Sequence, residues 1–300
     1  LGDRFLLGTA VWRIEELRQD RVIVSKPTGQ GTNLPFWKGE TVGRSFTFGK
    51  RLGGFLREAE SHLVGPETFY DWLKAKLQVE DKHVAQTLCI LLNEQTRSTG
   101  KLPTDRCLVQ EEFLGEMGDW HICIHSPFGT KLHTLVALLV SEQIQSETGL
   151  KIEAFPADNG ILLHVPGDTE PPQIRCALLL SLNLRDKIAL LISTTSLFGI
   201  TFRHCAQRSL VMALLSYGRK RTPLWLSRLK ASDLLQVVSK HQDFPLVMET
   251  YREILQDHFS ISDLEDFLGQ ILRGEIEVHR VQTQTPDRKS TRLNSSHITI

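Results

Sequence analysis

The stretch WHICIHSPFGTKLHTLVALLVSEQIQSETGLKIEAFPADNGILLHV, from Trp120 to Val165, decides the fold class. It opens with an alternating run: Trp120, Ile122 and Ile124 project one way, His121, Cys123 and His125 the other. Pro127 and Gly129 then break the chain. Leu132 to Ser146 carries apolar residues at helical spacing and stops at Gly149. Lys151 to Phe155 and Ile161 to Val165 flank Asp158-Asn159-Gly160, a turn that tolerates positive φ and joins antiparallel strands. Strand, helix and hairpin in this order predict a small sheet covered on one face by a helix.

Upstream, Leu7 to Ile14 and Arg21 to Ser25 read as strands rich in β-branched residues, with turn residues at Pro27-Thr28-Gly29 and Gly31. Arg44 to His62 places Phe46, Phe48, Leu52, Phe55 and Leu56 at helical spacing, and helical text continues from Glu67 to Thr96, ending at Gly100. Downstream, Pro171 to Gly274 reads as helical, with stops at Gly199, Gly218, Pro223 and Pro245, and Ile276 to Val281 as a closing strand. Sheets followed by helices place the chain in the α+β class: β-barrel or sheet segments, a helix-covered sheet platform and a C-terminal helical bundle. The expected divisions are 1–98 (strands plus helices), 99–168 (a small sheet module), 169–286 (helical bundle with closing strand) and a tail at 287–300.

Charge is balanced overall, 35 basic against 35 acidic residues, but not locally. From Arg203 to Ser232 there are seven basic residues (Arg203, Arg208, Arg219, Lys220, Arg221, Arg228, Lys230) and no Asp or Glu, with Tyr217 and Trp225 among them. Cations interleaved with flat rings suit a phosphate backbone with exposed bases. A solvated helix face has the same composition. The five cysteines (Cys89, Cys107, Cys123, Cys176, Cys205) are scattered and odd in number, with no C-x-x-C pair, which favours free thiols in a reducing, cytoplasmic setting. The apolar run from Ala177 to Ile200 is interrupted by Arg185, Asp186 and Lys187, so no membrane partner is expected.

RTPLWLSRLKASDLL (Arg221–Leu235) followed by DFPLVMETYREILQD (Asp243–Asp257) closely resembles the large helicase-related (Lhr) family of DNA helicases. LGTAVWRIEELRQDRVIV (Leu7–Val24), LPFWKGE (Leu34–Glu40), LPTDRCLV (Leu102–Val109) and GDWHICIHSPFGTKLH (Gly118–His133) continue the likeness in the family's order. The resemblance covers most of residues 1–286 and implies the accessory domain that follows two RecA-like motor domains and a winged helix. No G-x-x-x-x-G-K-[ST] phosphate loop and no DExH box occurs in the chain, so ATP and Mg²⁺ belong to the parent motor, and no cofactor is expected in this part. Leu1 and the strand-like opening suggest a fragment, inactive as an ATPase alone. DRKSTRLNSSHITI (Asp287–Ile300) resembles a translated sequencing adapter and is set aside.

The resemblance further implies a parent ATP-dependent helicase that moves 3′ to 5′ on single-stranded DNA and unwinds DNA or RNA:DNA duplexes in DNA repair. Expected partners are single-stranded DNA, those duplexes, and the parent's own RecA and winged-helix domains. The candidate nucleic-acid-binding residues are Trp12, Arg13, Trp37, Lys38, Arg203, Arg208, Arg219, Lys220, Arg221, Arg228 and Lys230. Trp12 is either a base-stacking platform or a half-buried core residue; Trp37 is a rim candidate, and Trp225 reads as a packing anchor at a helix start. Two departures weaken the loop contacts: the family's glutamate after Phe-Arg is His204 here, and its basic loop is shortened to Ser216-Tyr217-Gly218. Arg252 and Glu249 read as a same-helix ion pair. His121, Cys123, His125 and His133 have ligand chemistry, but no second element supplies a matching pair, so satisfied histidines and no metal are expected. No catalytic residue is expected. The accessory domain of a ligase-associated DEXH helicase and a scaffold without DNA contact are the competing readings.

Overall fold

The computed structural model describes residues 4–7, 10–17, 22–25, 43–115, 118–166, 170–175, 179, 183–212, 224–241 and 243–283. The chain gathers into two compact units, one of residues 1–42 and 192–254 and one of 43–191 and 255–298. In the first, β1 (Arg4–Leu7), β2 (Ala10–Leu17) and β3 (Val22–Ser25) form an antiparallel sheet. The expected single strand Leu7–Ile14 is divided between β1 and β2, which pair antiparallel with Leu7 opposite Ala10. Register shifts between Ile14 and Glu16, a bulge that leaves Glu15 outside the ladder.

The second unit opens with three helices. α1 (Phe46–Glu60) starts where Ser45 Oγ accepts from Phe48 N. α2 (Pro66–Leu77) has Pro66 in its first turn, where a missing N–H costs nothing. α3 (Lys82–Thr99) is capped by Asp81 and ends on Gly100 at φ +80°. The helical text from Glu67 therefore breaks in two: Gln78 adopts a left-handed φ of 57°, and Asp81 begins a new helix. Phe69, Tyr70 and Leu73 of α2 pack with Ala85, Cys89 and Leu92 of α3 and with Ala59 of α1.

Next come β4 (Cys107–Leu114), β5 (Trp120–His125), α4 (Thr130–Thr148), β6 (Glu153–Ala157) and β7 (Gly160–Val165). Helices α5 (Leu184–Ser193), α6 (Ser196–Arg208), α7 (Leu224–Val238) and α8 (Pro245–Arg252) follow, α8 opening into a π-helical turn at Glu253–His258. α9 (Ile261–Leu272) and β8 (Glu277–Gln282) close the second unit. Gly199 lies inside α6 and is not a stop. The break falls at Thr195, whose side chain accepts from Phe198 N and so starts α6.

The platform is a five-stranded mixed sheet in the order β6-β7-β5-β4-β8, parallel only between β4 and β8. The α+β class, with its helices and mixed sheet, and the 158–160 hairpin are as the sequence predicts. β4 was not foreseen, because its run Cys107–Leu114 is buried along most of its length and does not alternate. On one face, Leu108, Ile124, Ile161 and Val278 meet Val136 and Val140 of α4 and Phe267, Leu268 and Ile271 of α9. Both helices carry their buried residues at three- and four-residue spacing: Leu132, Leu135, Val136, Leu139 and Val140, then Ile261, Leu264, Phe267 and Leu268.

The other face is also buried. Glu111, Cys123 and His125 are fully covered, so the face expected to be polar lies in the interior. His125 Nε2–H donates to Glu111 Oε2 at 2.9 Å, and Thr283 Oγ donates to Glu111 Oε1 at 2.8 Å. Burial opposes the charged His125 ring, but Cys123 and the Glu111 carboxylate outweigh it and push its pKa up to about 10. His133 is the opposite case. Its Nδ1–H donates to the Ala157 carbonyl at 2.5 Å and its Nε2 accepts from Ser126 Oγ at 2.8 Å, while burial pushes its pKa down to about 4.

One carboxylate joins three segments of this unit. Asp158 Oδ1 accepts from Arg44 N (2.8 Å), Thr130 N (2.9 Å) and Thr130 Oγ (2.6 Å). Arg44 returns two bonds from Nη1, to the carbonyls of Pro127 and Asp158, each at 3.0 Å. Gly129, at φ +95°, lies so close to the Arg44 carbonyl that a Cβ would collide with it.

Two outcomes follow. Gly129→Ala adds a left-handed alanine and a backbone collision, and urea denaturation should show a loss of more than about 2 kcal/mol. The two buried histidines give a bell-shaped stability profile. The native state holds the His125 proton that the unfolded chain releases above 6.5, so stability falls as pH rises from there to about 10. The native state rejects the His133 proton, so stability also falls as pH drops from 6.5 to about 4. Denaturation midpoints across pH should lose the alkaline limb in His125→Asn and the acid limb in His133→Gln.

Candidate nucleic-acid interface

The first unit carries the candidate basic side chains. α6 buries Phe198, Thr201, Phe202, Cys205 and Ala206, which leaves Arg203, His204, Gln207 and Arg208 toward its rim. α6 packs on α7 and α8, and Gln207 Nε2 donates to Ser227 Oγ at 2.9 Å to join α6 to α7. Arg203 is half-buried, and its pKa is lowered first by burial and then by the nearby Arg228 guanidinium. The fold thus brings together two like charges 25 residues apart in sequence. Among the described residues, neither arginine has a carboxylate partner.

Arg208 is different. It pairs with Glu253 at the start of the π-helical turn, and that hydrogen bond raises its pKa. The Glu253 side chain is only 14% exposed. The local count of no acidic residue from Arg203 to Ser232 therefore misleads at this position, because the counter-ion comes from 45 residues away. The expected Arg252–Glu249 pair is present, with bonds of 2.7 and 2.9 Å.

Arg228 and Lys230 are both exposed on α7. Two residues apart, they are rotated by about 200° around the helix axis and do not share a face. In the three-stranded sheet, Arg13 is exposed and lies 3.8 Å from Glu15 Oε1, which also accepts from Ser25 Oγ at 2.6 Å. Trp12 sits in β2, paired to Phe5, and its side chain lies outside the described residues, as does that of Trp225 in α7. Trp37, Lys38, Arg219, Lys220 and Arg221 also lie outside the described residues.

The histidines separate into two environments. His125 and His133 are interior residues with the partners given above. His121 stands opposite His164 of β7, and Asp119 of the β4–β5 turn folds onto both. His164 and Asp119 were not singled out from the sequence, since their proximity to His121 exists only once β5 pairs with β7. Among the described residues no single helix is long and apolar enough to cross a membrane.

Comparison with known proteins gives a consistent result. The family model described as DEAD/H associated matches residues 102–287. The chain is 34% identical over 294 residues to the Lhr helicase/uracil glycosylase of Escherichia coli, covering 98% of this chain and 19% of that protein. It is 34% identical over 287 residues to the Lhr helicase/probable uracil glycosylase of Mycolicibacterium smegmatis, covering 95% and 19%. It is 29% identical over 290 residues to ATP-dependent helicase Lhr-Core protein 2 of Thermococcus barophilus, covering 95% and 33%. Among solved structures, Mycobacterium smegmatis helicase Lhr bound to ssDNA and AMP-PNP matches with a TM-score of 0.76 and 31% identity, over 88% of this chain and 33% of that one. The chain thus spans between about a fifth and a third of the length of these relatives. It belongs to the DEAD/H associated family, in the form found in Lhr helicases.

Proposed function

We propose that this chain is the strand-holding accessory region of an ATP-dependent Lhr-type helicase, working behind the motor in cytoplasmic DNA repair. The parent would hydrolyse ATP to move 3′ to 5′ on single-stranded DNA and to open DNA or RNA:DNA duplexes. The region itself lacks the phosphate loop and would not turn over ATP. Its work is to bind phosphates of the tracking strand, with Trp12 offering a ring to an unstacked base. Stacking tolerates any base, as a translocating motor requires.

The observation that carries this reading is the Arg203–Arg228 pair. Arg203 is half-buried, and the Arg228 charge is near enough to add to the burial that lowers its pKa, so the empty site is disfavoured. An anion between them reverses that cost, and a phosphodiester fits a planar guanidinium fork. The likeness to a helicase solved with single-stranded DNA supports the same choice of anion. Arg208 and Arg13 already have carboxylate neighbours, so they would contribute less.

Fluorescence anisotropy of the chain with a single-stranded oligonucleotide over a salt series tests the reading. Arg203→Ala/Arg228→Ala should weaken binding and lower the log–log salt slope by about 1 to 2, the release expected for that many phosphates. Arg208→Ala should change the slope little. Trp12→Ala should cost roughly 1–3 kcal/mol without changing the slope. A double variant that binds as the parent does would overturn the assignment of the contact to Arg203 and Arg228, and no binding by the folded chain would favour a scaffold that contacts only the motor.

A further inference from the structure

We propose that Asp119, His121 and His164 form a binding site for a first-row divalent transition metal, Zn²⁺ by preference, that fastens the β4–β5 turn onto the sheet. Each of the three side chains offers one ligand atom, a carboxylate oxygen or a ring nitrogen, and these atoms all lie within 4.8 Å of one another. His164 Nε2 is 2.6 Å and His121 Nδ1 3.5 Å from Asp119 Oδ2. Two imidazoles and one carboxylate are ligands that such metals bind well, with water completing a four-coordinate shell. Neighbouring ligands around tetrahedral Zn²⁺ stand roughly 3.3 Å apart. Both measured separations from Asp119 come within an ångström of that value.

Three separate features of the structure assemble the site. Strand register sets His121 directly opposite His164, so their rings leave the same face, with centroids 5.1 Å apart. Phe113, opposite His121 on β4, stacks on it at 5.2 Å with the planes 4° apart and fixes its ring orientation. Gly115 N–H donates to the Asp119 carbonyl at 2.7 Å, and the turn folds Asp119 back over the row. A Cβ at Gly115 would stand 2.5 Å from Asp119 Oδ1 and 2.9 Å from His121 Cε1, so only glycine leaves this space open.

One atom points to a missing partner. His121 Nδ1 is buried and makes no hydrogen bond, and Asp119 Oδ2 stands 3.5 Å away without satisfying it. An unsatisfied buried ring nitrogen is costly, and a metal ion would use its lone pair. His164 keeps an open side, with 33% of its side chain exposed, which gives an ion a way in. On binding, the metal would take the place of the Nε2–Asp119 hydrogen bond, with the ring proton on Nδ1.

Zn²⁺ competition between the chain and a chromogenic chelator, with Co²⁺ absorbance as a reporter of coordination, decides the matter. We expect one equivalent bound, d–d bands of a four-coordinate ion, and an affinity lowered by about tenfold or more in both Asp119→Asn and His164→Gln. His164→Gln keeps a donor to Asp119, and metal-free melting of both variants should match the parent, which separates lost ligation from lost folding. His83→Gln, at an exposed imidazole elsewhere, should bind as the parent does. Absence of Zn²⁺ uptake by the folded chain, or uptake unchanged in both ligand variants, would overturn the proposal.

Discussion

Asp158 Oδ1 accepts hydrogen bonds from the Arg44 and Thr130 backbones and from the Thr130 hydroxyl, and the second unit is arranged around that atom. It fixes the approach to α1, the first turn of α4 and the β6–β7 turn relative to one another. A carboxylate at a helix N-terminus is also favoured by the helix dipole, and those donors together with the Arg44 charge outweigh burial and hold the Asp158 pKa below the usual carboxylate range. The motif Ser126–His133 reads as a structural clamp around this atom. Phe128 fills the interior between Phe46 and Phe267, and Gly129 allows Arg44 to approach.

The sequence carried much of this plainly. Asp158-Asn159-Gly160 announced the hairpin, Gly149 and Gly100 the ends of two helices, and the alternation from Trp120 announced β5. What it hid were pairings between distant segments. β4 is buried on both faces and so lacks a period, and its parallel partner β8 lies some 170 residues away. The two-helix break at Gln78 rests on one left-handed residue without glycine, which no turn rule flags.

The candidate site was legible as a list and not as an arrangement. Seven cations without a nearby acid made the basic block conspicuous, yet tertiary structure sorts them. Glu253 takes Arg208, and the azimuth of α7 separates Arg228 from Lys230, whereas Arg203 lies near enough to Arg228 for that charge to help lower its pKa. Charge density in sequence thus overstated some residues and could not reveal the pair. The same holds for the histidines: the alternate positions of β5 looked equivalent, but His125 is an interior charge while His121 shares its row with a second strand.

Hydrogen exchange of the chain with and without single-stranded DNA tests the central claim, that the α6–α7 region grips the strand. The account predicts slowed exchange in α6 and α7 around Arg203 and Arg228, reversed by salt. Unchanged exchange there, with protection confined to the five-stranded sheet, would contradict it.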